Sequence, residues 1–496
     1  MSPTLSEWYA VAPMLAIGAG SILALVAGIW PGSRRELPGL VAAAALVVAG
    51  AFLLGLWGED RGAFAATIRT DSYAVAFDAI FLVSAAAGVV LIWNRRAGDL
   101  GEFFCLFLAS VLGMMLVAGS NNLIILFLGI ELLSIPLYIL SAIDVGRPGG
   151  LEAGLKYLVI GALGTGSLLY GSALLYGVTA ATQFPDMAAA LDANHDLTGD
   201  PLLLVGTALV LVGLGFKASA APFHLWTPDV YQGAPTAVVT FMSTATKVAA
   251  FAGFGRLLVN ALEPAQAQWE ELVAVVAIAS MVIGNVGALT QQSVKRMLGY
   301  SGVAHAGYAL IAVAAGTEEG QRAVLVYFAA YALMNIAAFT VVWAVERHYD
   351  SDRIAAFRGL GATNPLLATV LTLSMLSLAG FPPLVGFVGK LAVFQAGWDA
   401  GLGYLVVIGV ITTVVSMGYY LRLVAELFFP AAAPVPSGAV AAGAGPTAAA
   451  RPVALPAGRG VLAIGMLGAV GMLVFGVLPS PIIDAAETAV SALPMP

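Results

Sequence analysis

Apolar stretches of about 20 residues, divided by short charged or Pro/Gly-rich breaks, run the whole length of the chain. Roughly 20 residues of helix cross a hydrocarbon core about 30 Å thick, so each stretch reads as a membrane span. The pattern predicts about fourteen: 8–30, 37–57, 73–93, 103–119, 122–143, 155–178, 201–231, 235–259, 271–289, 294–314, 321–345, 364–396, 403–428 and a last helix at 459–479. Two of them are too long and carry interior prolines, Pro222 and Pro228 in one, Pro382 and Pro383 in the other. Proline removes an amide donor and crowds the preceding turn, so both are predicted as broken helices. Broken backbone persists at membrane depth only where protein or a water-filled cavity satisfies the freed groups. The two lie five spans apart, which points to two inverted five-helix repeats, 103–260 and 270–428, within a single transmembrane domain 1–496. The expected fold class is therefore all-α and polytopic.

Composition sharpens this picture. Of 496 residues 60% are hydrophobic and only 10% charged, against about 25% charged in soluble domains. The segment 430–458 is Pro, Gly and Ala with almost no charge, which predicts a flexible cytoplasmic loop. The first apolar stretch lacks a basic leader and a cleavage site, so it is expected to stay as an anchor. Lys and Arg favour one set of loops. With the N-terminus outside, only Arg61, Arg69, Arg256 and Arg322 fall on the outer side, and both termini are expected to be periplasmic. The acidic stretch 185–200 then lies outside too. No basic patch suits nucleic acid. The lone Cys105 excludes an intrachain disulfide and argues against an iron–sulfur or thiolate metal site. There is no Gly-rich phosphate loop, CxxC or His pair at haem or metal spacing. Redox or hydrolytic chemistry on this chain is not expected.

What remains is a set of ionisable groups inside the spans. Glu131, Lys217, Lys247 and Lys390 are each flanked by apolar sequence. A charge at bilayer depth costs at least ~2.5–3.5 kcal/mol, so several in one chain point to charge movement. A buried carboxyl and a buried amine shift each other's proton affinity, so Glu131 and Lys217 read as a proton switch. The plain alternatives are a static pair bracing two helices and a Lys217 that snorkels to the interface. Pro136 could kink the helix of Glu131. Lys247 lies near the centre of an unbroken span beside Ser243, Thr244 and Thr246. Lys390 follows the second break. In span ten, Lys295 beside Arg296 is either boundary charge or a buried axis member. His305 is deeper and suits a relay, or is a hydrogen-bonded structural histidine. His224, in HLWTPD, is a possible inlet relay or a partner for the carbonyls of the break. His195 and His348 sit in loops.

Five segments together resemble a known family: ELLSIPLYIL (131–140), EAGLKYLVIGA (152–162), FKASAAPFHLWTPDVYQGAPT (216–236), SVKRMLGYSGVAHAGY (293–308) and LAGFPPLVGFVGK (378–390). They are similar to the antiporter-like membrane subunits of respiratory complex I, the bacterial NADH–quinone oxidoreductase. DVYQGAPT and a lysine at 390 match their N type (subunit N). The 17 residues after the last span leave no room for the long lateral helix of the L type. The resemblance implies a fourteen-helix fold with two inverted repeats and proton translocation along a central hydrophilic axis. It implies Glu131 and Lys217 as the modulating pair, Lys247 and His305 as the relay, Lys390 as terminal donor and Lys295 in support. It also implies no redox cofactor here, with FMN, iron–sulfur clusters and quinone on partner subunits of the membrane-embedded complex. Related scaffolds serve multisubunit sodium/proton antiporters and membrane-bound hydrogenases, which stay open as alternatives.

Overall fold

The computed structural model describes residues 4–31, 34–93, 100–146, 148–430 and 458–492. The predicted loop 430–458 lies, except for its two end residues, outside them. The helices among the described residues are α1 (Leu5–Ala10), α2 (Ala12–Ile29), α3 (Leu37–Leu56), α4 (Ser72–Trp93), α5 (Leu100–Ala118), α6 (Leu123–Ser141), α7 (Pro148–Thr179) and α8 (Phe184–Ala193). They continue with α9 (Pro201–Ala218), α10 (Trp226–Gly233), α11 (Thr236–Phe254), α12 (Gln266–Leu289), α13 (Val294–Ala314) and α14 (Glu318–Tyr349). The last are α15 (Leu360–Thr363), α16 (Pro365–Ala379), α17 (Val385–Asp399), α18 (Gly403–Phe428), α19 (Arg459–Val477) and α20 (Ser480–Val490). Thirteen are long and apolar enough to cross a membrane. The fourteenth crossing is the broken pair α16–α17, each half 15 residues. Helix starts follow local capping chemistry. Asn122, Asp200, Ser293 and Thr317 accept backbone N–H groups at the starts of α6, α9, α13 and α14.

Both breaks stand where the prolines place them. The first is the turn 219–225, which holds Pro222 and opens with Ser219 in the left-handed region (φ 59°). Pro228 is not in the break. It lies in the first turn of α10, where a missing amide costs little. The second opens at Gly380 (φ 88°), where a left-handed residue closes α16 and glycine carries no Cβ penalty.

One small sheet departs from the all-helical reading. β1 (Arg61–Ala63) pairs antiparallel with β2 (Ile68–Thr70), and it marks one end of the molecule, the hairpin side. There the Arg69 guanidinium donates to both oxygens of Asp60, at 2.8 and 2.7 Å, and holds that carboxyl below its usual range. Burial sorts the bundle. Every residue of α11 is buried, as are most of α13 and α14, whereas α2, α3, α18 and α19 turn broad apolar faces outward. The polar groups of interest therefore sit on the innermost helices. One assignment from the loop charges is corrected. Arg256 is not in an outer loop; it is fully buried on a π-helical turn (Gly255–Ala261) that continues α11, paired with Asp71.

Candidate functional site

Lys217 occupies the last turn of α9 and is completely buried, so it does not snorkel. Its ammonium lies 5.2, 5.1 and 5.1 Å from the ring centroids of Tyr138, Tyr157 and Phe216, and has no hydrogen-bond partner among the described residues. Ring faces attract a cation without neutralising it. Glu131 is half-buried on α6, near enough for its charge to act on Lys217, but no ion pair joins them among the described residues. Tyr138, two turns further along the same helix face, is the α6 group that meets the ammonium. Pro136 is accommodated within α6, which runs on to Ser141.

From Lys217 an aromatic series leads inward. Tyr157 stacks on Trp226 at 4.3 Å, Trp226 meets Tyr231 edge-on at 6.3 Å, and the Lys247 ammonium lies 6.0 Å from the Tyr231 ring. The α9–α10 break positions this series, because α10 carries both Trp226 and Tyr231, and the indole N–H donates back to the Phe216 carbonyl at 3.1 Å. Lys247 is buried on α11, again with no hydrogen-bond partner among the described residues. It reaches α13 at Gly302, where a Cβ would stand 2.9 Å from Nζ and 3.0 Å from the Tyr331 hydroxyl. With glycine there the ammonium and the phenol share one space, and a Cβ would displace the flexible end of the lysine.

His305, one turn on from Gly302, is gripped at both nitrogens. Nδ1 lies 2.6 Å from the Tyr327 hydroxyl and Nε2 3.1 Å from that of Tyr420, which also bonds Ser301. Tyr331 and Tyr308 flank the ring at 5.2 and 5.7 Å. The charges of Lys390 and Lys247 both act on it. Tyr308, held by Asn285, passes the series to Lys390, whose ammonium lies 4.8 Å from that ring. Lys390 donates to Thr413 Oγ1 and to the Ala379 carbonyl, both at 3.4 Å. That carbonyl belongs to the last residue of α16, one of those the second break leaves unpaired. Lys217, Lys247, His305 and Lys390 thus share one file lined by tyrosines.

Lys295 and His224 are not bonded to it, although the charge of Lys247 reaches His224. Lys295 is buried, and its three contacts go to Glu346 (3.0 Å), the Ala234 carbonyl (3.2 Å) and Thr236 (3.3 Å). Its donors are fully used, and Thr236 also bonds Glu346. His224 sits in the first break, 6.2 Å from Tyr300, with Nδ1 unpartnered among the described residues. On the side opposite the hairpin, a cavity of about 420 Å³ opens beside α10, lined in part by Lys156, Asp229 and Arg296. Asp229 pairs with both of these cations. Among the described residues no cluster of His, Cys, Asp and Glu could hold a metal ion. Sequence reasoning missed the tyrosines and Glu346. The available signal was single tyrosines inside apolar runs, too common at membrane interfaces to stand out.

Residues 120–416 match the family described as NADH:quinone oxidoreductase/Mrp antiporter, TM. The chain is 41% identical to NADH-quinone oxidoreductase subunit N 2 of Roseiflexus castenholzii, over 97% of this chain and 96% of that one. It is 38% identical to NADH-quinone oxidoreductase subunit N of Parvibaculum lavamentivorans, over 99% and 98%. A chain of respiratory complex I from Thermus thermophilus shares the fold with a TM-score of 0.79 and 33% identity, over 96% of this chain and 99% of that one. A chain of the Mrp complex from Dietzia shares the fold alone, with a TM-score of 0.84 at 23% identity, over 98% and 97%. With most of its length matched in this way, the chain belongs to the NADH:quinone oxidoreductase/Mrp antiporter family of membrane subunits.

Proposed function

We propose that this chain is the N-type proton-translocating membrane-arm subunit of an NADH–quinone oxidoreductase. It moves protons along the buried file while partner subunits carry FMN, iron–sulfur clusters and the quinone site. The observation that carries the reading is the file itself: three buried ammonium-bearing side chains and a histidine, joined through tyrosine rings and hydroxyls. Lys217 and Lys247 meet rings and hydroxyl-lined space instead of carboxylates, so either protonation state is open to them. Ordered water commonly bridges such unpaired buried groups. Spans 103–260 and 270–428 act as two inverted repeats, each supplying one broken helix.

In this mechanism a change of charge at one end alters the Glu131–Lys217 interaction. Proton occupancy then shifts to Lys247, on to His305, and to Lys390 as terminal donor. The cavity beside Asp229 serves as inlet, with His224 as a relay in the adjoining break. Moving each charge against 100 mV requires about 2.3 kcal/mol, supplied by quinone reduction elsewhere in the complex. The hairpin side, with both chain ends, is periplasmic in a bacterial inner membrane. Identities of 37–41% along nearly the whole chain support complex I over the antiporter and hydrogenase assemblies. Co-purification of flavin- and iron–sulfur-bearing partners tests that choice. The relay is tested by Lys247→Ala in the assembled complex in proteoliposomes. NADH-driven proton uptake is expected to collapse, and normal pumping at normal assembly refutes the role.

A further inference from the structure

A second group of buried charges lies at the hairpin side, away from the lysine file. α4 and α11 pack antiparallel, with Gly88 against Phe241 and Tyr73 bonded to the Ala252 carbonyl at 3.4 Å. Where α11 passes into its π turn, Arg256 binds Asp71 through two nitrogens at 2.7 and 2.6 Å, and its third nitrogen binds the Ala118 carbonyl at 2.9 Å. Arg69 lies 3.5 Å from Asp71 and connects it to the exposed Asp60. These four charges balance, and each nitrogen of Arg256 has a partner, Asp71 taking both terminal nitrogens.

Asp78 does not fit into that balance. It stands two turns beyond Asp71 on the same face of α4, is 1% exposed, and its Oδ1 has no hydrogen-bond partner among the described residues. Arg256 and Asp71 are the charges that act on it. On α14, Gln321 is fully buried beside Tyr73, with its Nε2 also unpartnered among the described residues. A carboxyl this deep with no counter-ion of its own takes a proton as its partner. A π turn, which opens the backbone ladder for one turn, is a frequent feature of functional sites.

We propose that Asp78 is a further proton-exchanging acid of the transport cycle, held beside the fixed Asp71–Arg256 pair at the hairpin-side end of the Lys247 helix. Its carboxylate gains a proton from water, an O–H bond forming there as one breaks in the water, and returns it to water by the reverse step. Asp71, Arg256 and Arg69 keep their charges throughout, which sets a constant field for the one group that changes. The inference rests on the proton-translocation reading above and adds a site to it.

The test uses the intact complex, comparing Asp78→Asn, Asp78→Glu and Lys247→Ala. Infrared difference spectra on NADH-driven turnover are expected to show a protonated-carboxyl C=O band that shifts in D₂O, vanishes in Asp78→Asn and moves in Asp78→Glu. Pumping per NADH is expected to fall at least about threefold in Asp78→Asn and to recover in Asp78→Glu. A merely structural aspartate would leave the carboxyl band untouched. If Asp78→Asn fails to assemble, the Asp78→Glu spectrum decides, and an unmoved band overturns the proposal. Unchanged pumping and spectrum in Asp78→Asn also overturn it. When that happens while Lys247→Ala still abolishes pumping, this inference alone falls. Normal pumping in Lys247→Ala removes the reading beneath it.

Discussion

Lys247 and Lys295 are both lysines of transmembrane helices, both essentially inaccessible to solvent, and they differ in almost every other respect. Lys295 has a carboxylate, a hydroxyl and a carbonyl on its three donors. Lys247 has a ring 6.0 Å away, a glycine beside its ammonium, and no hydrogen-bond partner among the described residues. A closed ion pair stores charge in one place, because removing either partner strands the other. An ammonium among rings and hydroxyls is attracted to its site but not neutralised there. The lesson is that burial alone does not mark a transport lysine. The missing counter-ion does.

The sharpest way to break this comparison is an arginine in place of each lysine. Arginine keeps the charge but does not release its proton. Lys247→Arg should therefore lose proton pumping while Lys295→Arg retains most of it. A positioned side chain contributes about 10²–10⁴-fold to proton transfer, so the first loss should be at least about tenfold. Pumping per NADH in proteoliposomes decides it, and equal behaviour of the two variants would erase the distinction. Next in size is Gly302→Ala, whose Cβ would stand 2.9 Å from the Lys247 ammonium. The chain should still fold, because the flexible end of the lysine gives way, but pumping should drop severalfold with assembly intact.

A smaller effect separates the closed pair from the open site energetically. A double-mutant cycle of Lys295→Met and Glu346→Gln should return a coupling of about 1–3 kcal/mol in the thermal inactivation of the complex. The corresponding cycle of Lys247→Met and Tyr231→Phe should return close to none. Smallest is Asp60→Asn at the hairpin, where the carboxylate paired to Arg69 is half-exposed. Because pairing lowers the Asp60 pKa, its stabilisation is complete above the ordinary aspartate value of about 4. It fades as pH falls through the depressed value. The loss should be at most about 1 kcal/mol at neutral pH, measured by thermal inactivation. It should disappear in acid.

Much of the molecule was readable without coordinates because a membrane constrains sequence so strongly. Apolar length set the spans, and interior prolines set both breaks, with the single misplacement of Pro228 at a helix start. Glu131, Lys217, Lys247 and Lys390 stood out because charge is costly in that setting, and His305 because histidine as a residue type ordinarily titrates near neutrality. Arg256 was counted with the outer-side loop charges, although the predicted span 235–259 contains it, because positive charge was placed by position along the chain. Its burial depends on Asp71, 185 residues away, which no local pattern reveals. The hairpin escaped notice because three-residue strands carry almost no periodic signal.

The amino-acid order alone determined that this chain crosses a bilayer about fourteen times, with charges at depth and two interrupted helices. These follow from hydropathy and backbone chemistry, which act over a few turns. Only the packed bundle decided which charge meets which partner: Lys295 closed on Glu346, Lys217 ringed by aromatics, and Lys247 sharing the space over Gly302 with Tyr331. Those outcomes depend on side chains from helices far apart in sequence, and a counter-ion supplied across such a gap leaves no local trace.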